Sequence, residues 1–204
     1  MLEYERDLWQ RNIRLVAGID EVGRGCLFGD VVACAVVLPA ELEIEGINDS
    51  KKLSEKKRNE LYDIIMDKAL GVGIGRVDAR TIDEINIKQA ARRAMKLALD
   101  ELSRTVSPEY LLVDAEKVDC PIPQLAVIHG DALSQSIAAA SIVAKVTRDR
   151  LCLHWDLEYP EYGIASHKGY ATKAHREALR KYGASPMHRR SFLSGVLNEQ
   201  LELF

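Results

Sequence analysis

Leu15-Val-Ala-Gly-Ile-Asp-Glu-Val-Gly-Arg-Gly25 is the most informative stretch of this 204-residue chain. Its apolar half predicts a buried strand from Val16 to Asp20. The strand ends on two adjacent carboxylates, Asp20 and Glu21, before Gly-Arg-Gly. A buried strand rarely ends this way unless a divalent metal ion or an arginine offsets the lost hydration of the acids. An ordinary strand end with solvated acids is the alternative that this stretch alone leaves open.

The composition is typical of a globular protein, with 47% hydrophobic and 29% charged residues. The net charge of −3 gives no indication of nucleic-acid binding, so any basic surface must be local. We expect a single domain over residues 1–204. It would consist of a core at about 13–160, a helical C-terminal part at about 161–198 and a tail at 199–204.

The four cysteines are scattered, without the paired spacing of a zinc site or a disulfide framework. They are typical of a reducing compartment, so we expect a cytoplasmic protein. The N-terminus lacks the apolar segment of a signal peptide, and no apolar run approaches the roughly 18 residues of a membrane span. We expect no membrane association and a monomer.

Periodicity predicts a mixed α/β sheet with helices on its faces. Strands are predicted at Val16–Asp20, Val31–Leu38, Gly71–Val77, Tyr110–Asp114 and Leu125–Ile128. Helices are predicted after the N-cap Ser54 to Ala69, at Thr81–Ser103, at Asp131–Trp155, and as two short helices from Thr172 onward, with Ser185-Pro186 as an N-cap and N1 pair. Gly71–Val77 faintly resembles a dinucleotide-binding loop, but its glycine spacing favours a strand.

Two of the predicted strands end on a carboxylate, Asp20 and Asp114. Ligands of open α/β sheets bind outside strand ends, so neighbouring strands would bring these acids together. Asp149 lies on a small polar helix face that could pack on the sheet, although a solvated helix acid is the alternative. Adjacent strand residues point to opposite faces, so Glu21 can reach the same site only if the strand ends or bulges there, or if Glu21 acts through its longer side chain. Four carboxylates would suit two Mg²⁺ or Mn²⁺ ions, which clamp the attacking and leaving oxygens of a phosphodiester.

Six segments together closely resemble ribonuclease HII, the type 2 ribonuclease H of bacteria and archaea. They are Gly18–Gly25, Asn48–Ser54, Leu112–Asp114, His129–Ala132, Ser136–Asp149 and His167–Lys173. The resemblance implies an α/β fold, the ribonuclease H-like mixed five-stranded sheet flanked by helices, with a helical C-terminal extension. It also implies an endonuclease that cleaves RNA in RNA–DNA hybrids and cuts 5′ to single ribonucleotides in duplex DNA, leaving 3′-hydroxyl and 5′-phosphate ends.

The resemblance also implies residue roles. The catalytic, metal-binding acids would be Asp20, Glu21, Asp114 and Asp149, holding Mg²⁺ or Mn²⁺ with the second ion assisted by substrate. The 2′-hydroxyl, which distinguishes RNA from DNA, would be contacted by Gly23, Arg24 and Gly25. Tyr170 would stack on the next sugar and sense the junction. Its presence favours ribonuclease HII over ribonuclease HIII, and so do the 19 residues before Asp20.

Several polar residues acquire a predicted role in phosphate binding. They are Ser50, Lys51, Lys145, Arg148 and Lys168, and for each lysine simple surface solvation is an equal alternative. Phosphate contacts by these residues would give affinity that falls steeply with salt. Departures from the family pattern affect loop geometry: Cys26 and Phe28 replace proline and a small residue, and Ala115 replaces glycine. An inert nucleic-acid binder is the rival hypothesis, but acids near phosphates are repulsive without metals.

The last residues, Gln200-Leu201-Glu-Leu203-Phe204, resemble the Gln-Leu-x-Leu-Phe peptide that docks into bacterial sliding clamps. An apolar pentapeptide at a chain terminus favours a partner. Packing of Leu201, Leu203 and Phe204 on the helical C-terminal part is an equal alternative.

Overall fold

The computed structural model describes residues 1–198, whose centre is a mixed five-stranded sheet in the order β3-β2-β1-β4-β5. The strands are β1 (Val16–Val22), β2 (Val31–Val37), β3 (Gly71–Val77), β4 (Tyr110–Asp114) and β5 (Gln124–Val127). β1, β2 and β3 are antiparallel neighbours, whereas β4 runs parallel to both β1 and β5. The predicted fold class and all five strands are therefore confirmed, and Gly71–Val77 is a regular strand.

Nine α-helices surround the sheet within residues 1–198. They are α1 (Glu3–Gln10), α2 (Glu55–Lys68), α3 (Ala79–Ile85), α4 (Ile87–Leu102), α5 (Gly130–Leu133), α6 (Gln135–Glu158), α7 (Ile164–His167), α8 (Lys173–Tyr182) and α9 (Leu193–Asn198). The buried face of α4 packs on one face of the sheet, and α2 and α6 pack on the other. None of these helices is long and apolar enough to cross a membrane.

The approach of α6 to β1 sets the geometry at the centre of the sheet. A Cβ atom on Gly18 would lie 2.0 Å from the backbone carbonyl of Ser136, so only glycine permits this packing. The start of α6 is held by Glu5 of α1, whose Oε1 accepts hydrogen bonds from the Ser134 hydroxyl and the Ser136 N–H. Glycine in β1 therefore lets the small-residue face of α6 lie directly on the strand that carries Asp20.

Two predicted helices are interrupted. Thr81–Ser103 is divided at Asn86, which has φ 67 and accepts hydrogen bonds from two amides at the start of α4. Asparagine tolerates the left-handed region and caps helices well, so it ends α3 and begins α4. Asp131–Trp155 is divided at Ser134, whose extended backbone and hydroxyl cap α6.

The prediction that Ser185-Pro186 begins a helix is wrong. Ser185 is held in a turn because its N–H and hydroxyl both contact the ring of His188. His188 then pairs with Phe28 in an isolated antiparallel bridge, and α9 begins only at Leu193. Thr172, by contrast, is the N-cap of α8, in agreement with the first of the two predicted short helices.

Candidate metal centre and substrate site

Asp20 and Glu21 lie within β1, which continues in regular pairing to Val22. The predicted break or bulge at Glu21 is therefore absent. The two side chains leave opposite faces of the sheet, as strand geometry requires. Asp20 faces α6, where the hydroxyl of Ser141 interacts with it. Glu21 lies on the α4 side, with Oε1 at 3.1 Å from Arg24 Nη1.

Asp114 joins this pair at the end of β4. Its Oδ1 accepts a 2.7 Å hydrogen bond from the N–H of Gly130 in α5. The charge of Asp114 raises the pKa of both Asp20 and Glu21. Two acids of β1 and the last residue of the parallel strand β4 therefore form one electrostatically linked cluster at the strand ends.

The pKa values of the three clustered acids are raised, so each carboxyl is protonated more readily than in water. Burial is the main cause that raises the pKa of Asp20 well above its ordinary value, and the charges of Glu21 and Asp114 add to it. Burial also raises the pKa of Glu21, against the opposing effect of Arg24. Burial likewise raises the pKa of Asp114. A bound cation would reverse this repulsion, because an opposite charge stabilises the ionised carboxylates.

The residues fit a hard divalent cation. Oε2 of Glu21 is buried without a hydrogen-bond partner among the described residues, so one carboxylate oxygen is available. Carboxylate oxygens are the ligands that Mg²⁺ and Mn²⁺ prefer. Within residues 1–198 no three potential ligands are close enough to form a complete metal site without adjustment. The structure thus brings three acids into one cluster whose side chains would have to close around an ion.

Asp149, the fourth predicted ligand, lies on α6 two helical turns beyond Ser141. Its Oδ1 accepts a 2.6 Å hydrogen bond from Lys145, and both side chains are mostly buried. Its charge acts on Tyr170, whose hydroxyl pKa is raised first by burial and then by Cys26 and Asp149. Asp149 therefore lies on the predicted helix face, beside the predicted junction sensor.

The Gly23-Arg24-Gly25 loop follows β1 directly. Gly23 has φ 92, and a Cβ there would lie 2.3 Å from Arg148 Nε, so the position requires glycine. Arg24 is the half-exposed residue of the loop and contacts both Glu21 and Glu116. A Cβ on Gly25 would lie 4.0 Å from the Tyr170 ring, which is 43% exposed. The two predicted substrate-reading elements are thus direct neighbours, although they are far apart in sequence.

Arg148, predicted to contact substrate, is only 1% exposed. Its guanidinium donates to the backbone carbonyls of Asp30, Phe28 and Lys168 at 3.0, 3.0 and 2.8 Å. The side chain therefore ties the loop after β1 to the loop before Tyr170. This corrects the prediction: Arg148 is a positioning residue inside the protein, because its donors already serve three carbonyls.

Ser50, predicted to bind a phosphate, is also buried. Its hydroxyl lies 2.9 Å from the hydroxyl of Ser141, which in turn faces Asp20. Ser54, not Ser50, caps α2 by accepting from the N–H of Lys57. Ser50 therefore supports the surroundings of Asp20 instead of presenting its hydroxyl to solvent, which corrects the earlier assignment.

The predicted phosphate-binding lysines make contacts of different kinds. Lys51 is exposed and its Nζ lies 3.4 Å from Asp131 Oδ2. Partial burial opposes its ionisation, but the charges of Asp131 and Asp20 raise the pKa of Lys51. Lys168 has φ 55, and its Nζ donates to the carbonyl of Ala165. The cationic group of Lys51 thus lies beside Asp131 and within electrostatic reach of Asp20, whereas that of Lys168 is bonded to a nearby backbone carbonyl.

Sequence reasoning missed four residues that organise the site: Glu116, His175, His188 and Arg189. Glu116 lies between Arg24 and Arg92, at 3.7 and 2.9 Å. Arg189 and His188 are fully or almost fully buried against the loop after β1. The run His188-Arg189-Arg190 lies in the segment for which the sequence predicts a helix, so it gave no signal of these buried contacts. The predicted clamp-binding residues Gln200, Leu201, Leu203 and Phe204 lie outside the described residues.

Comparisons with known proteins identify the family of the chain. A sequence model of the family Ribonuclease HII matches residues 17–194. A protein named Ribonuclease HII from Alkaliphilus metalliredigens is 58% identical over 200 residues, covering 96% of this chain and 98% of its own. One of the same name from Enterococcus faecalis is 53% identical over 94% of this chain and 74% of its own.

Solved structures share the fold of this chain. The ribonuclease H2 from Pyrococcus horikoshii superposes with a TM-score of 0.71 at 28% identity, covering 86% of this chain and 92% of that one. Ribonuclease HII from Archaeoglobus fulgidus, solved in complex with PCNA, gives a TM-score of 0.72 at 26% identity over 86% and 94% of the chains. The chain therefore belongs to the ribonuclease HII family and is a ribonuclease H enzyme.

Proposed function

We propose that this protein hydrolyses the RNA strand of RNA–DNA hybrids and cuts on the 5′ side of single ribonucleotides embedded in duplex DNA, leaving 3′-hydroxyl and 5′-phosphate ends. Its role would be removal of ribonucleotides and primers during DNA replication and repair. The observation that carries the proposal is a contact between the predicted ribose-reading loop and the carboxylate cluster. Arg24, in the loop predicted to read the 2′-hydroxyl, lies 3.1 Å from Glu21 of the carboxylate cluster. Ribose recognition and hydrolysis would then occur side by side, at residues only three positions apart in the chain.

The proposed metal ligands are the three clustered acids Asp20, Glu21 and Asp114, with Asp149 of α6 as the fourth acid that the family resemblance implies. Bound Mg²⁺ or Mn²⁺ would supply the charge that activates water and stabilises the leaving oxygen of the phosphodiester. The partnerless Oε2 of Glu21 and the raised pKa of the clustered acids support this assignment, because both are conditions that a cation relieves. We expect the second ion to depend on substrate.

Substrate positioning falls to the chain's own residues. The backbone of Gly23–Gly25 and the half-exposed Arg24 offer donors beside the acids, and the exposed part of the Tyr170 ring offers a surface for a sugar. Lys51, Lys145 and Lys168 would add phosphate contacts, which position a duplex without reading its sequence. Selectivity would arise from the 2′-hydroxyl, since this group alone separates a ribonucleotide from its DNA neighbours.

The test incubates a duplex containing one ribonucleotide with wild type, Asp114→Asn and Tyr170→Ala in the presence of Mg²⁺, Mn²⁺ or a chelator. We expect metal-dependent cleavage by wild type, almost none by Asp114→Asn, and loss of junction preference in Tyr170→Ala. Asp63→Asn and Tyr182→Ala are matched controls, since both side chains are exposed elsewhere. Cleavage that survives the chelator or Asp114→Asn would overturn the metal-dependent assignment.

A second proposal concerns a partner: the tail Gln200–Phe204 docks into a replication sliding clamp. The ribonuclease HII from Archaeoglobus fulgidus was solved in complex with PCNA, which supports a clamp as partner of this chain. The measurement is binding of purified bacterial clamp to wild type and to a Leu203→Ala, Phe204→Ala double variant. Affinity that does not depend on these two residues would leave packing of the tail on the protein as the explanation.

A further inference from the structure

The segment Ser185-Pro-Met-His-Arg189, here called the 185–189 segment, crosses the loop that follows β1. The N–H of Gly29 donates to the carbonyl of Met187, and the N–H of Arg189 donates to the carbonyl of Leu27, both at 2.8 Å. The N–H of Leu27 donates to the carbonyl of Gly169, next to Tyr170, at 2.8 Å. Residues 27–29 are therefore held between the 185–189 segment and the chain that leads to Tyr170.

Arg189 fixes the path of the substrate-reading loop. Its side chain is fully buried, and it donates from Nε to the carbonyl of Gly29 and from Nη1 to the carbonyl of Arg24, both at 2.9 Å. Burial lowers the pKa of Arg189 to about 10. A buried guanidinium is costly to desolvate. Here it donates to the carbonyls of Arg24 and Gly29, which lie towards the two ends of the loop between β1 and β2. The carbonyl of Arg24 lies in the middle of the Gly-Arg-Gly sequence.

His188, the neighbour of Arg189, reaches the other substrate-reading element. The N–H of Ser185 donates to His188 Nδ1 at 3.0 Å, so this nitrogen accepts and the ring proton lies on Nε2. Nε2 of His188 lies 3.1 Å from Nε2 of His175, which must therefore accept. The ring proton of His175 is then on Nδ1, which donates to the carbonyl of Tyr170 at 2.9 Å. The tautomers of both rings follow from one backbone donor.

We propose that His188 and Arg189, through the 185–189 segment, are positioning residues that set the Gly23–Gly25 loop and Tyr170 at the separation needed to read a ribonucleotide junction. The inference rests on the proposed function, because it assigns to these residues the geometry that the proposed recognition requires. Arg189 holds the first element directly, by its hydrogen bond to the Arg24 carbonyl, and His188 holds the second through His175, which donates to the Tyr170 carbonyl. A displacement of about 1 Å at a recognition site can lower a rate on the order of a hundredfold, so such fixing has a kinetic consequence.

Packing alone does not account for this arrangement. His188 lies against Phe28 and Tyr162, with ring centroids at 4.8 and 4.6 Å, in a cluster that apolar side chains could fill. Two neutral imidazoles with fixed tautomers, and a guanidinium that bonds only to carbonyls, are poor choices for filling space. They are good choices for fixing the positions of two backbone carbonyls, because each donor has a defined direction.

The test uses two isosteric substitutions at one site. Asparagine places its amide near Nδ1 of the imidazole, so His175→Asn retains a donor to the Tyr170 carbonyl. Glutamine places its amide near Nε2, so His175→Gln loses that donor while it remains polar and similar in size. The measured quantity is the ratio of kcat/KM on a duplex with one ribonucleotide to kcat/KM on a uniform RNA–DNA hybrid, at matched metal concentration.

We expect His175→Gln and Arg189→Lys to lower this ratio on the order of tenfold, and His175→Asn to restore it to within about threefold of wild type. Equal ratios in His175→Gln and His175→Asn would overturn the proposal. Tyr170→Ala separates it from the proposed function. If the ratio is unchanged in Tyr170→Ala, the recognition role of Tyr170 itself is wrong. If the ratio changes in Tyr170→Ala but keeps its wild-type value in His175→Gln and Arg189→Lys, only the positioning role is wrong.

A measurement on the wild-type chain keeps the proposal testable if a variant does not fold. Nitrogen-15 spectra of histidine-labelled protein distinguish the two tautomers. We expect a proton on Nε2 of His188 and on Nδ1 of His175. The opposite assignment, or a charged His175 at neutral pH, would overturn the hydrogen-bond chain on which the argument depends.

Discussion

The N–H of Glu21 donates a 2.8 Å hydrogen bond to Oδ1 of Asp20, while the two side chains leave β1 on opposite faces of the sheet. The strand does not bend to bring both acids to one side. Both carboxylates interact with Asp114 because they lie where β1 and β4 come to an end. The cluster is therefore assembled around a strand end, not on one face, and its acids repel one another until a cation binds.

The first prediction concerns the energetic cost of this cluster. Asp20 is 5% exposed and has no cationic partner in the described part of the chain, so its ionised form opposes folding. Asp20→Asn keeps the acceptor for the Glu21 N–H and removes the charge. In chelator we expect stabilisation of about 1 kcal/mol, which raises Tm by about 2–4 °C, together with loss of cleavage.

Calorimetry on the two proteins in chelator measures this effect, and Asp67→Asn, at an exposed site on α2, is the control that should leave Tm unchanged. Excess Mg²⁺ should reverse the order, because the ion stabilises only the protein that retains the carboxylate. A lower Tm for Asp20→Asn in chelator would contradict the repulsion argument.

The second prediction concerns Arg148. Lysine cannot reproduce three directed hydrogen bonds from one planar group, so Arg148→Lys leaves at least one buried carbonyl without a donor. Each such loss costs about 1–3 kcal/mol, and we expect a Tm lower by at least about 2 °C. Differential scanning calorimetry checks it, with the exposed Arg80→Lys as the matched control. Equal Tm values for both variants would show that the hydrogen bonds of Arg148 do not stabilise the fold.

The third prediction separates the two roles considered for Ser50. If the hydroxyl supports Ser141 and Asp20, Ser50→Ala should lower kcat several-fold and leave KM for hybrid nearly unchanged. A phosphate contact would instead raise KM. Ser54→Ala is the control four residues away: loss of the α2 cap should lower stability by about 1 kcal/mol without changing either kinetic constant. Steady-state kinetics and thermal melts on the three proteins decide between the roles.

Much of the fold was predictable because apolar periodicity marks buried strands wherever they lie. The breaks at Asn86 and Ser134 were missed because each is set by one capping side chain inside a run that remains helical in pattern. The turn at Ser185 was missed for a different reason: Ser185 bonds to the ring of His188, and His188 in turn pairs with Phe28, far away in sequence. Local signals predict a cap at Ser185, and a tertiary contact overrides them.

Short motifs predict the acids and the Gly-Arg-Gly loop, and the roles assigned to these residues stay predictions. The burial of Ser50 and Arg148 was not predictable, since a polar side chain looks the same in sequence whether it faces solvent or a backbone carbonyl. Ala115 illustrates the converse. It departs from the glycine of the family pattern, and the structure gives it φ 50, the region in which glycine is least strained.

The last prediction concerns pH. Burial, together with His175, lowers the pKa of His188 to about 4 from an ordinary value of 6.5. A lowered folded pKa means that the unfolded chain binds the proton more readily. The stability that the neutral ring contributes is thus complete above pH 6.5 and is lost as the pH falls through 4. His188→Gln cannot titrate, so between pH 7 and 4 wild type should lose up to about 3 kcal/mol more unfolding free energy than this variant. Urea denaturation at intervals across that range measures the difference, with the exposed His154→Gln as control. Parallel pH curves for wild type and His188→Gln would contradict the claim that His188 is a buried, neutral imidazole in the folded protein.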